Sequence, residues 1–134
     1  MNLLSKHSDS IYALLRIVSG ILFTFHGTQK IFGWLASHET AIGSQMWFGG
    51  LIELVCGFCL IIGFKTRIAA FLSSGTMAVA YIQFHWTFRF DENFFPAINN
   101  GDAAILYCFL FLFIASKGAC KWCLDKIESV DETA

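Results

Sequence analysis

The chain has 134 residues, of which 56% are hydrophobic and only 14% charged, and its formal net charge is -1. Such a composition has too few polar side chains to cover a soluble core, so lipid is the expected surrounding. No basic stripe interrupts the apolar pattern, which excludes nucleic acid as a partner, and the length suits one domain, 1–134, without a separate soluble catalytic unit.

The first apolar segment, about 11–34, lacks a small-x-small cleavage site after it, and His26, Gly27 and Lys30 continue directly into Phe32, Gly33 and Trp34. It therefore reads as a spanning helix and not as a signal peptide. The second, 46–63, holds a single ionisable residue, Glu53. A connection of only four residues, 64–67, leads to the third, 68–86, which must turn back beside the second as a helical hairpin. Residues 87–101 contain Pro96 and the run Asn99, Asn100, Gly101, and read as an interfacial loop. The fourth segment is placed at 97–116, because its strongly apolar part falls short of the roughly 20 residues of a full crossing. The predicted fold class is thus all-α, an integral membrane antiparallel four-helix bundle.

Orientation follows from Lys and Arg. Lys6, Arg16, Lys65, Arg67, Lys117, Lys121 and Lys126, seven of the nine positive residues, fall on the side that holds both termini. That side is expected to be cytoplasmic, with the loops around Ser37 and Phe94 facing outward. Arg16 and Arg67 read as topology determinants that snorkel to the headgroups, and Tyr12, Trp34, Trp47, Trp86 and Trp122 as interfacial anchors.

Ionisable groups within a span need a partner or a wet cavity, since each costs at least about 2.5–3.5 kcal/mol near the bilayer centre. At about 1.5 Å per residue, His26 lies roughly 22 Å from Ile11, and Glu53 roughly 10 Å from Met46, so both fall in the outer half. Lys30 follows His26 by one turn, His85 ends the third segment and Asp102 begins the fourth. Gly50, Glu53 and Gly57 share a helix face, which turns Glu53 inward toward a closely packed neighbour. His26, Lys30, Glu53, His85 and Asp102 are therefore the candidate substrate-binding residues of a polar pocket. The same charges would also serve to lock the helices together without any substrate. No metal site is assigned. Cys56 and Cys59 read as packing residues, whereas Cys120 and Cys123, beside Lys117 and Lys121, read as a redox candidate on the cytoplasmic side.

These residues resemble the DoxX family of small four-helix bacterial membrane proteins over nearly the whole chain. The resemblance rests on Arg16, Gly20, His26-Gly27-Thr28-Gln29-Lys30 and Phe32-Gly33, then on Glu53 between Gly50 and Gly57. It continues through Gly63-Phe64-Lys65-Thr66-Arg67, His85 and the closing Gly118 to Leu124-Asp125. Asp102 stands where the family commonly has glutamate, and the two tail cysteines lie outside the usual pattern. The resemblance implies a bacterial inner-membrane protein associated with redox systems. Its implied ligand is a quinone or a small thiol-like substrate, and its implied partner an oxidoreductase subunit. In that role His26 and His85 would exchange protons or hydrogen-bond a quinone oxygen, Glu53 would orient or accept the proton, and Lys30 would hold negative charge. A non-catalytic membrane scaffold or a small-molecule permease is the alternative, and the lipid-facing surface is also compatible with a homo-oligomer.

Overall fold

Apolar runs rich in helix formers and free of internal proline become helices, and no strand occurs among the described residues. The computed structural model describes residues 2–36 and 40–126, so the Ser37 loop lies outside them. Four long helices dominate: α1 (Ser8–Phe32), α2 (Gln45–Ile62), α3 (Thr66–Ala80) and α4 (Asp102–Lys117). A π-helical stretch, Tyr81–Trp86, prolongs α3 until Thr87, whose φ of 54° ends it. The expected start of the last helix near residue 97 is corrected. Pro96–Asn99 forms its own turn, which Asn100 stops at φ 57°, and α4 begins only at Asp102.

α1 packs along α2, α3 along α4, and α2 touches α3 across their short link. Arg16, early in α1, meets Leu60, late in α2, so these two run antiparallel. Arg67 at the start of α3 likewise meets Ala115 and Ser116 at the end of α4. The Phe23 ring packs at 4.7 Å from that of Phe111, and Tyr12, Leu60, Met77 and Ile114 complete the buried core. The exterior is apolar too: Leu14, Val18, Val55, Phe58, Ile68, Phe71, Phe109 and Phe113 all face outward. α1 and α2 are each long and apolar enough to cross a membrane.

The α1/α2 contact is set by glycines seven residues apart on both helices. A Cβ on Gly27 would lie 2.8 Å from the Gly50 carbonyl oxygen, and one on Gly57 would lie 2.9 Å from the Gly20 carbonyl oxygen. Both obstacles are backbone, so the helices must separate to admit a methyl group.

At the opposite end of α2 the tail closes the structure. Arg16, expected to snorkel, is instead fully buried. Its guanidinium donates to the Leu60 and Ile61 carbonyls at 2.5 and 3.3 Å and to those of Lys121 and Trp122 at 3.1 and 2.6 Å. A cation there meets the negative end of the α2 dipole and satisfies carbonyls that the helix itself cannot. Arg67 does the same for α4, donating to Ala115 and Ser116 at 3.1 and 2.5 Å. Tyr12, expected at an interface, is buried and donates to the Gly118 carbonyl at 2.6 Å. Gly63 is required twice over: its φ is 66°, and a Cβ would lie 2.7 Å from the Arg16 guanidinium. Asp125 then caps α3, accepting from the main-chain N–H groups of Lys65 at 2.7 Å and Thr66 at 2.8 Å.

Two predictions follow from this packing. Gly27→Ala and Gly57→Ala should each destabilise by about 1–3 kcal/mol through overpacking. Gly75→Ala, which meets nothing within 4 Å, should be neutral or stabilise by up to about 1 kcal/mol in detergent-phase unfolding. For Asp125, burial opposes ionisation, but hydrogen bonds from Thr66 and Lys65 and the Lys65 charge outweigh it and hold the carboxyl below its usual value. Its stabilisation is therefore complete at neutral pH, and is lost as pH falls from the unfolded value of about 3.9 down through the native one. Asp125→Asn should lose about 0.5–2 kcal/mol at pH 7 and show a flatter unfolding midpoint across that acid range than the parent.

Candidate functional site

The close α1/α2 approach brings two charges together. Lys30, three residues beyond Gly27, donates from Nζ to Glu53 Oε1 at 2.5 Å. Glu53 is only 2% exposed while Lys30 is 30% exposed, so the carboxylate is the buried partner and the ammonium the one that reaches out. The second carboxylate oxygen, Glu53 Oε2, is buried and has no hydrogen-bond partner. That is a costly state for a charged group unless a donor is supplied.

Both residues line a cavity of about 220 Å³ between α1, α2 and α3, at the end away from the Arg16 contacts. Thr76, Val79, Ala80, Phe84 and His85 contribute from α3 and its π-helical extension, and Met46 from α2. The π-helical turn carries His85 to this wall, a local irregularity of a kind that recurs at functional sites. His85 is held from behind: its Nδ1 lies 3.1 Å from the Asn99 carbonyl oxygen, and the Tyr81 ring stacks on it at 6.4 Å. Asn93 donates to the His85 and Trp86 carbonyls at 2.9 and 3.1 Å, and Asn99 donates to the Asn93 carbonyl at 2.8 Å. The 87–101 loop is thus a bracket for His85.

Of the five residues expected from sequence, Lys30, Glu53 and His85 share this cavity. His26 is exposed and outside its lining, because it precedes Gly27 by one residue and is turned by about 100° about the helix axis. Asp102 is exposed at the first turn of α4, where the late helix start leaves it. Cys56 is buried in the core. Cys120 and Cys123 are half-buried free thiols in the tail, their S–H groups directed at the carbonyls of Asp9 at 3.3 Å and Cys120 at 3.1 Å. Asn93 and Asn99 escaped sequence reading, because turn composition alone does not tell which loop amides face back onto a helix.

Residues 11–86 match the model of the DoxX family. An uncharacterized protein of Haemophilus influenzae is 39% identical over 129 residues, covering 93% of this chain and 96% of that protein. No solved structure matches the chain significantly.

Removing the ammonium from this half-buried ion pair should expose the cost of the buried carboxylate. Lys30→Met should destabilise by about 3–5 kcal/mol by leaving the carboxylate uncompensated, and Lys30→Met with Glu53→Gln should recover part of that loss. Thermal unfolding of the two singles and the double gives the coupling; simple additivity would mean the pair is not formed.

Proposed function

This chain belongs to the DoxX family of membrane proteins, and from that premise we propose a multi-pass inner-membrane protein. It is an antiparallel bundle of four spans with both termini cytoplasmic, and its outer-half pocket binds a quinone headgroup or a small thiol-like substrate for a partner oxidoreductase. The outward apolar rows on all four helices support lipid immersion. The Lys and Arg excess at the end holding Arg16, Arg67 and Lys117 supports the orientation. At 16 residues α4 is about 24 Å long against a hydrocarbon core of about 30 Å, so it calls for local bilayer thinning.

One observation carries the reading: a buried, ion-paired carboxylate whose second oxygen lacks a partner lines a cavity. The fit is to a small group. A cavity of about 220 Å³ is below the roughly 300–1,000 Å³ of pockets that enclose drug-sized ligands, yet it suits a single ring between Met46, Val79 and Phe84. A bound quinone supplies a two-electron, two-proton couple. Lys30 holds negative charge at the mouth, His85 hydrogen-bonds a ligand oxygen, and Glu53 accepts a hydrogen bond or proton from below. The Lys30–Glu53 bridge between α1 and α2 equally favours a second reading, a non-catalytic scaffold in which the pair only locks helices.

Isoprenoid quinone extracted from gently purified protein distinguishes them. The parent should retain isoprenoid quinone, oxidised and reduced forms counted together, near one per chain, and Glu53→Ala should retain at least ten-fold less while accumulating normally in the membrane. A quinone-free parent whose melting no added quinone shifts would leave the scaffold reading.

A further inference from the structure

We propose that this pocket selects the hydroxyl-bearing, reduced form of its ring ligand, a hydroquinone, over the carbonyl-bearing quinone; the inference rests on the pocket reading above. Its basis is the hydrogen-bonding capacity left on the walls. A carboxylate paired with an ammonium only accepts, and Glu53 Oε2 is buried without a donor. Thr76 spends its one hydroxyl proton on the Leu72 carbonyl at 2.9 Å, so toward the cavity it offers lone pairs alone. His85 Nδ1 faces a carbonyl oxygen, Asn99 O at 3.1 Å, which can only accept. The proton of neutral His85 therefore sits on Nδ1, and Nε2 is left as an acceptor.

Of the five polar residues on the walls, Glu53, Thr76 and His85 thus ask for a donor; Lys30 offers protons, one of them already committed to Glu53, and Gln45, whose amide donates to the Gln83 side-chain oxygen, keeps one N–H and its own acceptor oxygen. A quinone presents two carbonyl oxygens, which accept and cannot donate. It would satisfy Lys30 and bury Glu53 Oε2 without a partner. A hydroquinone presents two O–H groups, each able to donate to an acceptor on the wall while its oxygen still accepts from Lys30. Because an unmatched buried acceptor is penalised more than a matched one is rewarded, the preference is built from the walls that the wrong form leaves unpaired.

The test uses the full chain in nanodiscs under anaerobic conditions, with 2,3-dimethylhydroquinone and 2,3-dimethyl-1,4-benzoquinone as probes. Equilibrium dialysis against empty nanodiscs corrects for partition into lipid. The hydroquinone should bind at least about ten-fold more tightly. Glu53→Gln, which turns an acceptor into a donor-bearing amide, should bring the two affinities to within about two-fold, and His85→Phe should narrow the ratio should the first variant fail to accumulate. Equal affinities in the parent, or tighter quinone binding, would overturn the selectivity while leaving the pocket standing. Binding of neither probe would overturn both. A ratio unchanged in both variants would overturn the assignment of the acceptors.

Discussion

The contact between the backbones of α1 and α2 is the constraint from which the rest of the structure follows. Gly20 against Gly57 and Gly27 against Gly50 leave no room for a side chain between the helices. At that separation Lys30 reaches Glu53, and a carboxylate that would be untenable in an apolar setting acquires a counter-ion. The third helix closes the space above this pair, so the cavity is defined by where the two helices stop touching and α3 begins to cover them.

Polarity is distributed by a similar logic at the two ends of the molecule. At one end, two guanidiniums are matched to carbonyl oxygens at helix C-termini: Arg16 on α2 and the tail, Arg67 on α4. Asp125 supplies the opposite charge to the opposite kind of terminus, the N–H groups opening α3. These bonds still leave Arg16 Nε and Thr66 Oγ1 buried without partners. At the other end Glu53 Oε2 is buried without a partner, in a side chain that lines the same cavity as His85.

The half-buried Cys120 and Cys123 belong to the end that holds Arg16. Their segment is the one whose carbonyls Arg16 holds, and Gly63 packs directly beneath Cys123. Their surroundings are those of a closing loop packed against α2.

By itself the sequence determined the helices, the inward face of Glu53 and the Lys30, Glu53 and His85 grouping. Helix periodicity and glycine spacing are local, and a lone charge in an apolar run has only one direction to turn. Only the tertiary structure decided the rest. His26 misses the cavity because a single residue step rotates a side chain by about 100°, which depth along a helix does not reveal. Arg16 and Tyr12 are buried, and not at an interface, because the tail folds back over α2 and offers them carbonyls from residues more than 100 positions away. Asp102 stands outside because α4 starts late, after Asn100 takes a left-handed conformation. Each of these depends on partners distant in the chain, and residue patterning carries no record of which distant backbone group will arrive.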